Sequence, residues 1–385
     1  MKKVAIVTST RAEFGLLRPV ITELRKYENP GFSVELIVTG THLYPEYGMT
    51  IDEIHDQDIR IDHEIRVPVD SGSSTDISNN QAEILKSFTQ LFVDQEYDAV
   101  LLLGDRYETL AQAIAAMNTR TPIIHLCGGD ITEGAMDDSI RHAITKMSYL
   151  HFTTNEESRR RVIQMGEDPA RVFNFGSTSI DNIVTIADMT KAEALRSVGM
   201  AECRYALCTY HPVTLEDTDV DAVIGSFMEA IKAFPDLEFI ITKSNSDQGG
   251  ARINELLDEY QVKTNNIKVF ASLGSRRYLS LMRHAEFVLG NSSSGIIETP
   301  AFHIPTVNIG DRQKGRLRAD SIIDCGEDTD AIVNAMKKAM SSEMKKICEE
   351  TISQYGDGTS GKRIAQKIYE IIREKIDLRK SFYAM

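Results

Sequence analysis

Short, nearly unbroken apolar runs alternate with helix-like segments along this chain, and this alternation constrains the fold more than any other feature. The runs are rich in β-branched residues, which is typical of strands buried on both faces of a parallel sheet. Between the first two runs, Leu17, Val20 and Leu24 recur at helical spacing, which predicts a β-α-β unit. In the first half the runs cover residues 4–9, 34–40, 99–105, 122–126 and 150–154.

A second series of such runs follows, and 385 residues exceed what one hydrophobic core usually serves. We therefore predict an α/β chain of two Rossmann-like, doubly wound domains that face a cleft. The predicted boundaries are 1–178 and 179–363 for the two domains. Residues 364–385 are predicted to form a C-terminal helix that packs back on the first domain. The second series covers residues 205–211, 237–243, 267–273, 286–292 and 305–311.

Composition excludes several functional classes. The net charge is −14, from 43 basic and 57 acidic residues, whereas nucleic-acid binders need a basic footprint. No apolar run approaches the roughly 18 residues of a membrane span, and the first residues lack the apolar core of a signal peptide. We therefore expect a cytoplasmic protein without membrane association. The five cysteines are scattered and lack a paired C-x-x-C, which argues against a disulfide framework or a structural zinc site.

The segment GNSSSGIIETP, residues 290–300, follows an apolar run and is a candidate phosphate-binding turn. Open α/β sheets bind ligands beyond the carboxyl ends of their strands. Backbone amides and the hydroxyls of Ser292, Ser293 and Ser294 can converge there on a phosphate oxygen. Glu298 can accept hydrogen bonds from a ribose diol. The plainer alternatives are a helix N-cap at Ser294 and a solvated glutamate.

Two more strand ends in the second half carry candidate ligand contacts. His211 ends a predicted strand, and Pro212 after it disfavours helical backbone, which directs the histidine toward the binding edge. Arg312 belongs to the basic run NIGDRQKGRLR after another strand, and this run is the best counter-charge for a diphosphate in so acidic a chain. A structural histidine and a solvated loop are the alternatives.

Polar residues also follow the strands of the first half. Arg11 stands where dinucleotide-binding folds carry a glycine-rich loop, and the lack of G-x-G-x-x-G in the sequence disfavours an NAD enzyme. His42 follows the second apolar run. Asp105 and Arg106 lie side by side in GDRYET, either at the site or as a structural pair in which Asp105 caps the next helix.

Acidic residues are densest in HLCGGDITEGAMDDSIRHAITK, residues 125–146. Crowded carboxylates raise one another's pKa, which suits proton transfer near neutral pH. The alternatives are helix capping by one of the last two acids and a divalent metal bound through oxygen ligands, although we predict no metal. The acids are Asp130, Glu133, Asp137 and Asp138.

Several motifs follow one another through nearly the whole chain: TRAEFG, THLYPEYGMTIDEI, LLGDRYETLA, GGDITEGAMDDSIRHAITKMS, TYHPVTLED, GNSSSGIIE and NIGDRQKGR. In this order they resemble the UDP-N-acetylglucosamine 2-epimerases, specifically the hydrolysing branch of sialic-acid-type sugar biosynthesis. The resemblance implies a glycosyltransferase-B-like fold, with the catalytic acids in the first domain and uridine diphosphate held mainly by the second. It also implies a homodimer or homotetramer that uses a nucleotide sugar and no cofactor. By matching position, nucleotide contacts fall to Arg11, His211, Ser292, Ser293, Glu298 and Arg312, and catalysis to Asp105 and Asp137 with Arg106 nearby.

One position departs from the family pattern. Family members commonly read H-I-E-G-G-E where this chain reads H-L-C-G-G-D, so Cys127 stands in place of an acid. Asp130 or Glu133 supplies the carboxylate instead, or the acid–base assignment differs. The departure resembles a sub-branch that acts on nucleotide-linked 2,4-diacetamido-2,4,6-trideoxyglucose on the way to legionaminic acid.

The resemblance implies conversion of UDP-N-acetylglucosamine and water to N-acetylmannosamine and UDP, through a glycal across carbons 1 and 2 that is then rehydrated. The same reaction on a UDP- or GDP-linked diacetamido sugar is one alternative. A non-hydrolysing epimerase or a glycosyltransferase of the same fold is another. In this scheme Asp130 or Asp137 takes the proton from carbon 2, and Asp105 balances positive charge at carbon 1.

Overall fold

The structure is a computed structural model that describes residues 1–70, 73–132, 136–212, 219–244 and 250–384. Strands and helices alternate through these ranges, as the apolar runs predict. The strands are β1 (Lys2–Thr8), β2 (Phe32–Thr39), β3 (His63–Ile65), β4 (Ala99–Leu103), β5 (Ile123–Leu126), β6 (Leu150–Thr153), β7 (Val172–Asn174), β8 (Tyr205–Thr209), β9 (Glu238–Thr242), β10 (Ile267–Phe270), β11 (Val288–Gly290), β12 (Thr306–Ile309) and β13 (Ile322–Cys325). The helices are α1 (Arg11–Arg25), α2 (Ile51–His55), α3 (Ser74–Gln95), α4 (Tyr107–Asn118), α5 (Met136–Met147), α6 (Glu156–Gln164), α7 (Thr178–Ile186), α8 (Lys191–Arg196), α9 (Val220–Lys232), α10 (Gly250–Lys263), α11 (Gly274–His284), α12 (Ser294–Ile297), α13 (Thr329–Ala339), α14 (Ser342–Glu350) and α15 (Ser360–Ile372).

The described strands form two parallel sheets. Seven strands follow the order β3-β2-β1-β4-β5-β6-β7, and six follow the order β10-β9-β8-β11-β12-β13. The strand order reverses between β1 and β4 in the first sheet and between β8 and β11 in the second. Such switch points are where open α/β sheets bind ligands. The architecture confirms the predicted α/β class of two doubly wound sheets.

The predicted runs miss the edge strands β3, β7 and β13. Each has only three or four residues, and each mixes apolar with polar or exposed positions. An edge strand is paired on one side and needs no continuous apolar run, so the pattern that reveals the central strands is weak here.

Strand β1 shows why the central runs become strands. Val4 and Ile6 pack into the core on one face of the sheet, and Ala5 and Val7 pack into the core on the other. All four are at most 3% exposed. Full burial of a side chain of the larger kind stabilises the fold by roughly 1.5–3 kcal/mol. Polar chemistry is therefore confined to the residues that follow the strand.

The chain divides into two compact units. The first unit contains Met1–Ile131, Met136–Asp181 and Gly358–Met385, and the second contains Asn182–Asp357. The chain thus leaves the first unit within α7 and returns to it before α15. Within the described ranges, no helix combines the length and the apolar character that crossing a bilayer requires.

The last helix, α15, belongs to the first unit and packs on α1. Gly361 allows the close approach, because a Cβ there would lie 2.7 Å from the Cβ of Pro19 and 2.9 Å from Oδ2 of Asp181. Asp181 accepts hydrogen bonds from the backbone N–H groups of Ser360 (3.0 Å) and Gly361 (2.5 Å). A carboxylate at this helix N-terminus satisfies donors that have no partner within the helix.

Candidate active site

In the first unit, polar groups at the ends of β4 and β5 meet around Arg141, a residue of α5 whose side chain is 4% exposed. Its Nε donates to Oδ2 of Asp105 at 2.8 Å, and its Nη2 donates to the same oxygen. Its Nη1 donates to Oδ1 of Asp138 at 3.1 Å and to the backbone carbonyl of Asp130 at 2.8 Å. One guanidinium therefore orients two carboxylates and the loop that follows β5.

Asp105 and Arg106 do not pair with each other, which corrects one alternative for the GDRYET segment. Arg106 donates from Nε and Nη2 to the two carboxylate oxygens of Glu108, at 3.2 Å each. Asp105 does not cap α4 either, because the N-cap residue of that helix is Arg106, without a side-chain capping bond. The carboxylate of Asp105 instead faces the guanidinium on α5.

Asp130 is tied to the beginning of α6. Its Oδ1 accepts hydrogen bonds from the hydroxyls of Ser158 (2.5 Å) and Thr154 (3.0 Å). Gly129 beside it has a φ of +84°, and a Cβ there would lie 2.4 Å from the carbonyl oxygen of Ser158. These contacts hold the loop after β5 against α6, so Asp130 has a clear structural function.

Asp137 and Asp138 lie in the first turn of α5 rather than at its cap. Asp137 is exposed, and Asp138 is half-buried, with Oδ2 3.4 Å from Nε2 of His142. Negative charge in a first helical turn is favourable, so both acids also stabilise α5. Glu133, the other acid of this stretch, lies outside the described residues. Among the described acids of this stretch, Asp137 is exposed, whereas Asp130 and Asp138 are half-buried.

His125 connects the end of β4 to helix α5. Its Nε2 donates to the backbone carbonyl of Gly104 at 2.8 Å, and its Nδ1 lies 3.3 Å from the hydroxyl of Thr145 on α5. Burial lowers the pKa of His125 to about 3, so the ring is neutral at physiological pH. It links the residue before Asp105 to the helix that carries Arg141. Sequence reasoning assigned no function to His125 or Arg141, although an arginine four residues after Asp137 was an available signal.

Cys127 has a φ of +64°, a left-handed conformation that is uncommon outside glycine. Its side chain is half-buried and packs against the apolar core of the first unit. Gly128 follows, where a Cβ would lie 2.9 Å from both Nδ1 of His125 and the hydroxyl of Thr145. The side chain of Cys127 therefore contributes to packing at a tight turn.

Arg11 and His42 have contrasting surroundings. Arg11 begins α1, is 42% exposed, and lies 3.7 Å from an equally exposed carboxylate oxygen of Glu53. His42 is fully buried, with Nε2 2.9 Å from the hydroxyl of Thr8 and Nδ1 2.8 Å from that of Thr50. Burial lowers its pKa to about 4. The guanidinium of Arg11 is thus accessible to an anion. Both ring nitrogens of His42 are instead within hydrogen-bond distance of buried threonine hydroxyls.

Glu13 is a buried acid of the first unit that sequence reasoning did not consider. Its Oε2 accepts the backbone N–H of Ser9 at 2.7 Å, whereas Oε1 is buried without a hydrogen-bond partner among the described groups. Burial raises the pKa of Glu13 to about 7, and the charge of Arg106 opposes that rise. The carboxyl therefore titrates near neutral pH beside a candidate catalytic arginine.

In the second unit, the ends of β8, β11 and β12 meet around Asn291, which is fully buried. Its Oδ1 accepts the backbone N–H of His211 at 2.7 Å, and its Nδ2 donates to the carbonyl of His211 at 2.8 Å. The carbonyl of Asn291 accepts from Nη1 of Arg312 (3.1 Å) and Nε2 of Gln313 (2.9 Å). One neutral amide residue thus brings together two of the predicted nucleotide contacts.

The approach of β11 to β8 requires a glycine before Asn291. Gly290 has a φ of +135°, and a Cβ there would lie 1.9 Å from the carbonyl oxygen of Thr209. The ring of His211 lies beyond β8 with Nδ1 3.2 Å from the hydroxyl of Ser244. Burial, and secondarily the charge of Arg312, lower the pKa of His211 to about 4, so this histidine is neutral.

The serine turn after Asn291 opens a helix of only four residues, α12. A helix this short has few aligned peptide units, so its dipole contributes little to the binding of an anion. Ser293 occupies the N-cap position without a side-chain capping bond, and Ser294 is the first helical residue. All three serines are half-buried. Capping by Ser294 is therefore not the reason for this run of hydroxyls.

Glu298 is the C-cap residue of α12. It is half-buried, and desolvation raises its pKa to about 7, with a smaller opposing effect from a hydrogen bond with Ser294. A carboxylate that gives up hydration in this way gains from new donors such as the two hydroxyls of a ribose. Across the described residues, no group of three or more His, Cys, Asp or Glu side chains is arranged to hold a metal ion.

Comparison with known proteins relates the chain to one family over most of its length. The family profile of UDP-N-acetylglucosamine 2-epimerase matches residues 24–369. A GDP/UDP-N,N′-diacetylbacillosamine 2-epimerase (hydrolyzing) from Campylobacter jejuni is 39% identical over 89% of this chain and 89% of its own. The polysialic acid biosynthesis protein P7 of Escherichia coli is 36% identical over 100% and 97%, respectively. A UDP-N,N′-diacetylbacillosamine 2-epimerase (hydrolyzing) from Legionella pneumophila is 34% identical over 96% of both.

A solved structure of a 2-epimerase is similar to the whole fold. The crystal structure of UDP-GlcNAc 2-epimerase from Neisseria meningitidis, bound to UDP-GlcNAc, superposes with a TM-score of 0.82 at 19% identity, over 96% of this chain and 100% of that one. The two parallel sheets therefore form the glycosyltransferase-B-like fold. On the extent of the profile match and the identity to its relatives, this chain belongs to the UDP-N-acetylglucosamine 2-epimerase family.

Proposed function

We propose that this chain is a hydrolysing 2-epimerase, which releases the nucleoside diphosphate from a nucleotide-linked 2-acetamido sugar and frees the sugar with carbon 2 inverted. The observation that carries the proposal is the pair of carboxylates, Asp105 and Asp138, oriented by Arg141, with Asp137 exposed in the same helical turn. Two relatives named as hydrolysing enzymes support it.

The second unit holds the nucleotide in this proposal. Glu298 accepts hydrogen bonds from the ribose hydroxyls. These bonds replace those that the desolvated carboxylate would otherwise receive from water. Arg312 supplies the counter-charge for the diphosphate, and the serine hydroxyls and the neutral ring of His211 supply hydrogen bonds. Arg11 is proposed as a further contact for a phosphate, because its guanidinium is partly exposed and its described carboxylate partner, Glu53, lies 3.7 Å away. The residues of the serine turn are Ser292, Ser293 and Ser294.

The reaction begins at the bond between carbon 1 and the diphosphate oxygen. Carbon 2 has no adjacent carbonyl, so its proton becomes acidic only as positive charge grows at carbon 1. The bonding electron pair leaves with the diphosphate, whose charge Arg11 and Arg312 stabilise. Asp105 balances the charge at carbon 1, since Arg141 holds its carboxylate in a fixed orientation.

A base then removes the proton from carbon 2, and the electrons of that bond form the double bond of a glycal between carbons 1 and 2. We assign this step to Asp137, an exposed residue in the same first turn of α5 as Asp138, which Arg141 orients. Water adds to carbon 1, and a proton is delivered to the opposite face of carbon 2. Nucleotide sugar and water thereby give free sugar and nucleoside diphosphate.

The proposed substrate is a nucleotide-linked 2,4-diacetamido-2,4,6-trideoxyglucose, and UDP-N-acetylglucosamine is the second candidate. Relatives named for diacetylbacillosamine are 39% and 34% identical to the chain, which favours the diacetamido sugar. Cys127 in place of the common family acid supports the same sub-branch. The relative named for polysialic acid biosynthesis, at 36% identity, keeps UDP-N-acetylglucosamine as the second candidate.

Separate incubations with UDP-N-acetylglucosamine and with the UDP- and GDP-linked diacetamido sugars test the assignment, with products read by mass spectrometry. We expect free sugar and nucleoside diphosphate, released about tenfold or more faster from a diacetamido substrate. Faster turnover of UDP-N-acetylglucosamine would reverse the substrate order. A product that stays attached to the nucleotide would overturn the hydrolysing reaction. Turnover that requires an acceptor sugar would indicate a glycosyltransferase.

A further inference from the structure

The end of the chain returns to helix α5. Lys380 directs its ammonium group to three oxygen acceptors: the carbonyl of Ser148 at 2.6 Å, the carbonyl of Lys146 at 3.0 Å and Oε2 of Glu167 at 2.6 Å. A lysine ammonium has three N–H donors, so these contacts satisfy its full capacity. Such complete coordination fixes both the side chain and the groups that it contacts.

Two of these acceptors lie at the C-terminal end of α5, which ends at Met147. They are the carbonyl of Lys146 in the last turn and the carbonyl of Ser148 directly after it. The last carbonyls of a helix have no partner within the helix, and a cation at that end is favourable. Lys380 supplies this cation from 232 residues beyond Ser148 in sequence. The helix that carries Asp137 and Arg141 is thus capped by Lys380.

Glu167 makes the contact a buried ion network. It is 2% exposed, and Nζ of Lys146 lies 2.6 Å from its Oε1. Nε2 of the fully buried His151 lies 3.1 Å from its Oε2. Burial alone would raise the pKa of Glu167, but hydrogen bonds from His151, Lys146 and Lys380 lower it to about 2. The carboxylate therefore stays charged throughout the physiological range and holds both lysines.

Residues beyond Lys380 keep the tail in place. The backbone N–H of Tyr383 donates to the carbonyl of Gly166 at 2.9 Å. The ring of Phe382 fills the space where a side chain at position 166 would begin, since a Cβ on Gly166 would lie 2.4 Å from it. Nζ of Lys146 lies 5.1 Å from the centre of the same ring. The tail therefore contacts the first unit near residue 166, although Phe382 is 71% exposed.

We propose that Lys380 is a positioning residue for the reaction, which acts through α5 on Arg141 and Asp137. The inference rests on the proposed function, because it concerns the turnover step. Helix α5 has 12 residues and spans about 18 Å, and we expect a shift at its capped end to displace the end that carries Asp137 as well. A displacement of about 1 Å in a catalytic group can lower the rate about a hundredfold.

The experiment compares Lys380→Met with Arg379→Met in the 385-residue chain. Arg379 is 92% exposed and contacts Asp377 on the same tail, so its variant removes a neighbouring cation without touching α5. We expect Lys380→Met to lower kcat about tenfold or more, with the UDP dissociation constant from calorimetry unchanged. Lys380→Arg should restore most of the rate, and Arg379→Met should match the wild type.

A double-mutant cycle with Arg141→Lys separates positioning from general destabilisation. If Lys380 acts through α5, the fold-loss of kcat in the double variant is smaller than the product of the fold-losses in the two single variants. A folded Lys380→Met enzyme with normal kcat, or multiplicative losses, would overturn the inference. If Lys380→Met does not fold, Phe382→Ala applies the same criteria to a weaker change of the tail. Wild-type chain that releases no free sugar would instead refute the proposed function.

Discussion

The two units build their strand-end sites in opposite ways. In the first unit the hub is a charged guanidinium, Arg141, which binds the carboxylates of Asp105 and Asp138. In the second unit the hub is a neutral amide, Asn291, which binds the backbone of His211 and receives Arg312. Both hubs are nearly or fully buried and lie where parallel strands end.

Under the proposed function, this difference separates the reaction chemistry from nucleotide binding. Carboxylates held by a buried cation keep a fixed orientation, which suits a site that must stabilise a developing charge and move a proton. A neutral scaffold carries hydrogen-bond donors without competing for the negative charge of a diphosphate. Changes at the carboxylates that Arg141 orients should therefore lower the rate, and changes at the Asn291 hub should lower nucleotide affinity.

The largest effect should follow removal of a carboxylate in the first unit. We expect Asp105→Asn and Asp137→Asn each to lower kcat about 100- to 10,000-fold, because they remove charge stabilisation or proton transfer. UDP affinity, measured by calorimetry, should stay at the wild-type value. Glu157→Gln, an exposed change on α6, is the control. Folded variants with near-normal turnover would contradict the assignment of these acids.

Asn291→Ala should produce the next largest effect, which should be a loss of UDP affinity. It leaves the buried N–H and carbonyl of His211 without their side-chain partner, at a cost of about 1–3 kcal/mol per group. We expect UDP binding to weaken about ten- to a hundredfold, while Asp105→Asn leaves it unchanged. Equal UDP affinity in Asn291→Ala and the wild type would show that the amide hub does not organise the nucleotide site.

The pH dependence of UDP binding should be a smaller effect and should come from Glu298. Its pKa is raised to about 7, and the ribose hydroxyls need the ionised carboxylate as acceptor. Affinity should therefore fall about tenfold from pH 8 to pH 6, and Glu298→Gln should bind more weakly at pH 8 and lose this dependence. The stability of the fold without UDP should depend on pH in the opposite direction from UDP affinity. Because the pKa of Glu298 is raised, its contribution to the free energy of unfolding is fully present below the ordinary carboxyl pKa and is lost as pH rises through 7. A pH profile of binding that is identical in Glu298→Gln would refute the ribose contact.

The smallest effect should come from Cys127. Its side chain packs against the core and its backbone is left-handed, so the thiol has no assigned chemistry. We expect Cys127→Ala to keep kcat within about threefold of the wild type, as surface and near-neutral substitutions usually do. A hundredfold loss of kcat with normal folding would make the thiol part of the reaction.

The sequence predicts the central strands and the two-sheet fold because strands buried on both faces must be apolar along their length. It does not predict the edge strand at His63–Ile65, where that requirement is absent. Strand-end logic also selects Asp105, His211 and Arg312. It cannot select Arg141 or Asn291 as hubs, because their importance depends on which side chains converge in space. The strand-end position of His42 selects it as a candidate contact, but it does not reveal the two threonine hydroxyls beside its ring nitrogens.

The most direct test of the account is the reaction of the wild-type chain in D₂O with the preferred nucleotide sugar, followed by proton NMR. Elimination to a glycal and rehydration requires that the hydrogen at carbon 2 be exchanged with solvent. We therefore predict free sugar that is inverted and deuterated at carbon 2, together with nucleoside diphosphate. Free sugar that retains its original hydrogen at carbon 2, or an epimer still linked to the nucleotide, would contradict the account.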